Sequence, residues 1–203
     1  GVSLSEVDFF KNFCIFDTKQ HDSFFFQDGR PSMEASSHLL LNSATIHTHP
    51  EDLLAILCSE EAESIVNQIY CDYNFVFFDY ITPGQSVADS IKNLPSVDVL
   101  FFQNHGVFIT TDNLQKSYEI TKEINYLAKL FLNNKTIKHF EVEPKGFLFP
   151  DAVVLKESNK LSNKLIYQKI NNSGLTPKFL KDHEIDELIN LEEEKYRIKM
   201  ELK

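Results

Sequence analysis

Tryptophan is absent from these 203 residues, and cysteine and glycine are scarce, at three and six. The cysteines, Cys14, Cys58 and Cys71, are odd in number and show no C-x-x-C spacing. That argues against a disulfide framework and for reduced thiols in a cytoplasmic protein. No glycines are arranged as G-x-G-x-x-G or as G-x-x-x-x-G-K-[ST], so no nucleotide site is visible. Positive charge is short as well: 20 Lys and Arg face 30 Asp and Glu, a net charge of −10. With no basic stripe to offset it, this balance argues against a nucleic-acid-binding surface. No apolar run approaches the roughly 20 residues of a membrane span. The opening GVSLSEVDFFKNF lacks the basic leader and apolar stretch of a secretory signal.

What is present is ordinary for a globular chain: 42% hydrophobic and 25% charged residues, with 18 phenylalanines as core material. The length suits one domain with a substantial core. Apolar bursts at 7–16 and 24–26 open the chain, the second reading as a strand ended by Asp28-Gly29. Ser32 is placed to cap a helix over 33–41, on which Glu34 and His38 share a face. A strand over 43–49 follows, then a helix over 51–58 led by Pro50 and another over 59–69 capped by Ser59. Residues 74–81 form a dense β-type run, broken by Thr82-Pro83-Gly84 before a helix over 87–94. Strands at 97–103 and 107–110 flank Asn104-His105-Gly106, a hairpin or bulged turn with Gly106 available for positive φ. Asp112 is expected to cap a long helix, and a charged helix, its acidic run a solvated face, closes the chain over 184–203. Strands and helices alternate, which predicts an α/β or α+β fold with residues 1–203 as one domain.

The segment ATIHTHP at 44–50 raises a chemical question. Side chains alternate along a strand, so His47 and His49 point to one face. Two neighbouring imidazoles repel when protonated, and a metal ion satisfies both when neutral. The plain alternative is two surface histidines at a strand end. His105, on a turn between two other strands, is able to join them. Three histidines leave an open coordination position, as in catalytic rather than structural zinc sites. Glu34, 13 residues before His47, lies on the helix that precedes the histidine strand and could serve as acid or base.

The stretches RPSMEASSHLLL, ATIHTHPEDLLAI, DYITPG and FFQNHGVFITTDNLQKSYEITKEI stand in the order and spacing of the class II aldolase/adducin family, which this chain resembles from residue 30 to about 130. FLFPDAVV and LEEEKYRIKM look similar to the aldolase-like domain of bifunctional aldolase/dehydrogenase proteins. The resemblance implies a three-layer αβα domain with a central, mainly antiparallel sheet. The family's N-terminal segment is expected to be missing, since Gly1-Val2-Ser3 resembles a later substrate loop; Gly1 and Ser32 are the implied substrate-binding residues. It implies that His47, His49 and His105 bind a divalent metal, zinc first, and that Glu34 is the acid/base residue. The implied reaction is reversible aldol cleavage of a small ketose or ketose phosphate through a metal-stabilised enediolate. Epimerisation or dehydration of a sugar phosphate on the same scaffold, or a non-catalytic adducin-like module, are the alternatives. A homo-oligomer, commonly a tetramer, is implied too. Tyr70, Tyr73 and Tyr80 are proton-donor candidates that read first as core or interface tyrosines; His38 reads as a packing residue, and His21, His139 and His183 as surface residues.

Overall fold

A computed structural model describes residues 32–135 and 143–201. The strand expected at 24–26, its Asp28-Gly29 turn, Gly1, Cys14, His21 and His139 lie outside the described residues. The described strands are β1 (Ala44–Thr48), β2 (Phe75–Phe78), β3 (Val99–Phe102) and β4 (Gly106–Thr111). The described helices are α1 (Ala35–Leu40), α2 (Glu51–Leu57), α3 (Ala62–Ile69), α4 (Gln85–Ile91), α5 (Leu114–Lys135), α6 (Pro150–Val154), α7 (Lys160–Asn172), α8 (Asp182–Asn190) and α9 (Glu192–Glu201). None of these helices is long and apolar enough to cross a membrane.

The strands form one sheet in the order β1-β4-β3-β2. β4 pairs antiparallel with both neighbours, while β2 runs parallel to β3, to which the chain crosses over through α4. The mainly antiparallel sheet expected from the resemblance is therefore observed. Alternation along the strands divides the apolar residues between two layers. Val99, Phe101, Val107 and Ile109 face a large core shared with α2, α3, α5 and α7. Leu100, Phe102 and Phe108 face a smaller core with Val87 and Ile91 of α4. With α1 packed on α4, the result is helices on both faces of the sheet. Phe101, Phe102 and Phe108 are fully buried, each stabilising the fold by about 1.5–3 kcal/mol.

Several boundaries depart from the sequence reading, each for a local reason. Ser32 does not cap α1: it sits in a turn in which its carbonyl accepts from Ala35 N (3.0 Å) and its hydroxyl from Glu34 N (3.3 Å). α1 therefore begins after Glu34. Ser59 gives its hydroxyl to the carbonyl of Ile56 at 2.7 Å, and its backbone bridges Pro177, so α3 starts only at Ala62. Asn113 rather than Asp112 caps α5, its Oδ1 accepting from Lys116 N at 3.0 Å. The charged segment expected as one helix over 184–203 is two, α8 and α9. They are separated at Leu191, whose extended backbone (φ −64°, ψ 134°) turns its side chain toward Val153, Leu180 and Leu188. Nor is its acidic run a solvated face throughout: Glu194 is buried.

Candidate metal site

The strand register builds the first half of the site. His47 of β1 stands opposite Phe108 of β4, and the two rings stack with centroids 3.8 Å apart. His47 Nδ1 lies 3.0 Å from the carbonyl oxygen of Val107. A carbonyl only accepts, so Nδ1 carries a proton, and Nε2 is the ring atom left to face the site and to act as a ligand. His49 falls one residue beyond the end of β1 but keeps the same face, its Nε2 2.8 Å from His47 Nε2.

The second half comes from the Asn104-His105-Gly106 turn between β3 and β4. Positive φ falls on Asn104 (54°) and not on Gly106, correcting the sequence expectation. Asparagine tolerates this region, and here its side chain is also held, Nδ2 donating to the carbonyls of Leu148 (2.8 Å) and Lys178 (2.6 Å). Its backbone N–H donates to the carbonyl of Leu57 at 3.0 Å. Gly106 is required for proximity instead: a Cβ there would stand 2.4 Å from His49 Cδ2 and 2.7 Å from the carbonyl oxygen of Thr48. The turn is thus pressed against the end of β1, bringing the rings of His105 and His49 to 5.1 Å.

Glu34 closes the cluster. Its Oε2 is 3.2 Å from His47 Nε2, and its Oε1 is 3.0 Å from His105 Nε2. One ligand atom from each of Glu34, His47, His49 and His105 lies within 4.8 Å of all the others. Burial works to raise the Glu34 pKa, but His105 and His47 against its oxygens outweigh it and hold the carboxyl well below the usual range. Desolvation first, then the charges of His47 and His105, lower the His49 pKa to about 3. Neutral rings leave lone pairs facing one another. His49 is able to satisfy His47 with one proton, but then the His47 lone pair still confronts a carboxylate oxygen. The buried Glu34 Oε1 rests on its 3.0 Å ion-pair contact with His105 Nε2 and makes no well-aligned hydrogen bond among the described residues. A divalent cation meets all four donors at once, and three imidazoles with a carboxylate are a fitting donor set.

Residues 1–132 match the family model for the class II aldolase and adducin N-terminal domain. The chain belongs to this family. It is also similar to a protein of Bacillus subtilis (strain 168) named uncharacterized oxidoreductase YuxG, at 26% identity over 131 residues. That alignment covers 62% of this chain but only 18% of the relative's length. No solved structure matches.

In this class II aldolase and adducin family member Glu34, His49 and His105 line a pocket of about 390 Å³, with His47 behind them. Ser32 and Met33 line one side of it, with Pro83 from the turn before α4. Gly84, at φ +96°, leaves room for the Met33 side chain, which stands 3.2 Å from where a Cβ would lie. The opposite wall was not anticipated as part of the site: it comes from Asp151 of α6 and from Glu193, Glu194, Tyr196 and Arg197 of α9. Arg197 Nη1 donates to both carboxylate oxygens of Glu194 at 3.0 Å, and Nη2 to Asp151 Oδ1 at 2.6 Å. Of the tyrosine candidates, Tyr70 is a core residue whose hydroxyl donates to the Ile124 carbonyl at 2.9 Å. Tyr73 and Tyr80 pack against hydrophobic clusters away from the pocket lining. His38 lies edge-on to Phe108, a packing role, and His183 is exposed.

Proposed function

We propose that this protein is a metal-dependent aldolase-like lyase, cleaving and forming a carbon–carbon bond in a small ketose or ketose phosphate. The observation that carries the reading is the convergence of Glu34, His47, His49 and His105 within 4.8 Å, three of them lining an open pocket. His47, His49 and His105 would hold the cation, zinc by preference for three imidazoles. A divalent cation there supplies Lewis-acid polarisation of a carbonyl and offsets negative charge arising next to it. Glu34 moves the proton. Kept ionised by its neighbours, it takes a proton from the carbon beside the carbonyl in the condensation direction and returns it in cleavage. A positioned carboxylate contributes about 10²–10⁴-fold in such a step. The stack on Phe108 and the Val107 carbonyl hold the His47 ring in one orientation, so the donor set is organised before a ligand arrives.

The oxidoreductase name belongs to a relative of which this chain spans 18%, and no reaction is carried over from it. The convergent cluster favours an enzyme over a non-catalytic adducin-like module, which has no use for four aligned donors. The same reading includes a cytoplasmic homo-oligomer, a tetramer by the resemblance; light scattering on the eluting protein tests that state.

Metal content by plasma mass spectrometry decides the site. About one divalent ion per chain is expected, lost in His47→Ala/His49→Ala. Glu34→Gln should keep the metal and lose most cleavage of a panel of ketoses and ketose phosphates. A chain that takes up no zinc when incubated with excess overturns the proposal, and so does full activity in Glu34→Gln.

A further inference from the structure

We propose that the outer face of α5 is an isologous contact at which two copies of this chain pair about a two-fold axis. Along that face stand Leu114, Tyr118, Lys122, Tyr126 and Leu130, every fourth residue of the helix. Tyr126 is 63% exposed, Tyr118 51%, Leu114 47% and Leu130 42%. Single exposed apolar residues call for no explanation, but four in one row on a helix face are a patch. The helix has already buried its core side, Ile120, Ile124, Ala128 and Leu132, against the sheet. That sheet face is opposite the one on which His47 stacks with Phe108, and no residue of α5 lines the pocket. The pairing is therefore independent of the aldolase reading.

The row is palindromic, and this selects the occupant. Leu-x3-Tyr-x3-Lys-x3-Tyr-x3-Leu reads the same from either end. When two antiparallel copies cross at Lys122, Tyr118 of one comes opposite Tyr126 of the other, and Leu114 opposite Leu130. Such self-complementarity is what a two-fold contact demands. Residues four apart form a ridge, and interdigitating the ridges of two helices sets their axes at about 50° to one another. The tyrosines then flank the axis as the centre of the contact and the leucines form its rim. Charge agrees with this placement. Two lysines meeting on the axis repel, but Glu119 and Glu123 come within a turn of the other copy's Lys122, and Glu119 within a turn of its Lys129. Gln115 Nε2 donates to Glu119 Oε1 at 2.9 Å, which steadies that carboxylate. The Lys122 ammonium lies 4.8 Å from the centre of its own Tyr118 ring, so its stem adds to the apolar patch. One helix crossing another is a small contact, so the pair is a weak one, with dissociation in the micromolar range.

Sedimentation equilibrium of the full 203-residue chain tests the pairing. The mass is expected to rise over micromolar concentrations and to reach an even number of chains. Tyr126→Glu should halve that mass and raise the dissociation constant by about thirtyfold or more, with circular dichroism unchanged because the side chain is exposed. A second readout needs no loss of binding. In a Cys14→Ser/Cys71→Ser background, Lys122→Cys places one thiol from each copy at the axis, and a short bismaleimide should join them. Glu63→Cys, exposed on α3 and away from the row, should stay unlinked. A chain that is monomeric throughout, as it is if residues 1–31 cover the face instead, overturns the proposal. An assembly whose mass Tyr126→Glu leaves unchanged overturns it too, as does equal cross-linking from positions 63 and 122.

Discussion

Replacing Gly106 by alanine should damage stability and metal affinity together. The added methyl would stand 2.4 Å from His49 Cδ2, 2.7 Å from the Thr48 carbonyl oxygen and 3.2 Å from His49 Nε2, all well inside van der Waals contact. The two neighbours yield differently. Thr48 is backbone in β1 and pairs with Val107 of β4, so its carbonyl retreats only if the ladder opens. The His49 ring is able to swing, at about 0.5–1.5 kcal/mol for an off-rotamer side chain. Overpacking against fixed backbone costs about 1–3 kcal/mol. Urea unfolding of metal-free Gly106→Ala at pH 7 should therefore show a loss of about 2–4 kcal/mol. Zinc competition against a chromophoric chelator should show affinity lowered by about 10–100-fold or more, since His49 leaves the donor set. His49→Ala in the same chain removes the 2.4 Å contact but not the Thr48 one, so the double variant should fall short of additivity by about 1 kcal/mol. Stability within about 0.5 kcal/mol of the parent, with zinc affinity unchanged, would refute the reasoning.

Asn104→Ala removes the side-chain donor from the Lys178 carbonyl, leaves the Leu148 carbonyl only the weak Cys58 Sγ donor, and places alanine at φ 54°, so unfolding should show a loss of about 3 kcal/mol; Asn104→Gly should lose about 1 kcal/mol less. Equal losses in the two would remove the backbone contribution. Arg197→Met leaves Glu194 buried without its partner and should destabilise by about 2 kcal/mol at pH 7, discounted because the arginine side chain is 37% exposed. Adding Glu194→Gln should restore part of that in the same assay. The metal-free protein should also weaken as pH falls below about 6.5. His49, lowered to about 3, stays neutral when folded but takes up a proton when unfolded, so the unfolded state binds more protons across that window. His38, lowered chiefly by burial, acts with the same sign, and Glu34 adds to the loss only below about 4.3. Urea midpoints at pH 7 and pH 5 in chelator test this, and a higher midpoint at pH 5 contradicts it.

The histidine pair was legible because a two-residue period needs only a strand, and the β-prone segment at 44–48 supplied one. The place of His105 was only permitted by its turn; the strand order β1-β4-β3 is what closes the distance, and order is a long-range property. The turn chemistry was half legible. Asn-His-Gly marks a tight connection, but it does not say whether glycine is needed for φ or for room, and asparagine was able to take the positive φ. Least visible was the far wall. Glu194 and Arg197 are three apart and read as an ordinary solvated helix pair. The burial of Glu194 goes with the helix break at Leu191, and the third member of the cluster, Asp151, is 46 residues from Arg197. The available signal was Leu188, Ile189 and Leu191 directly ahead of the glutamate run, since apolar residues there cost the segment a uniformly solvated face.

Asn104 fastens the histidine turn to the carbonyls of Leu148 and Lys178, and Leu148, Phe149, Ala152, Ile166 and Ile170 complete the core beneath β3 and β4. All of these lie past residue 132, where the family match stops. Kinship and cooperativity therefore draw different borders in this chain. A polypeptide trimmed to the recognisable stretch would retain every donor atom, yet it would have lost the clasp that keeps His105 still and much of the apolar surface beneath it.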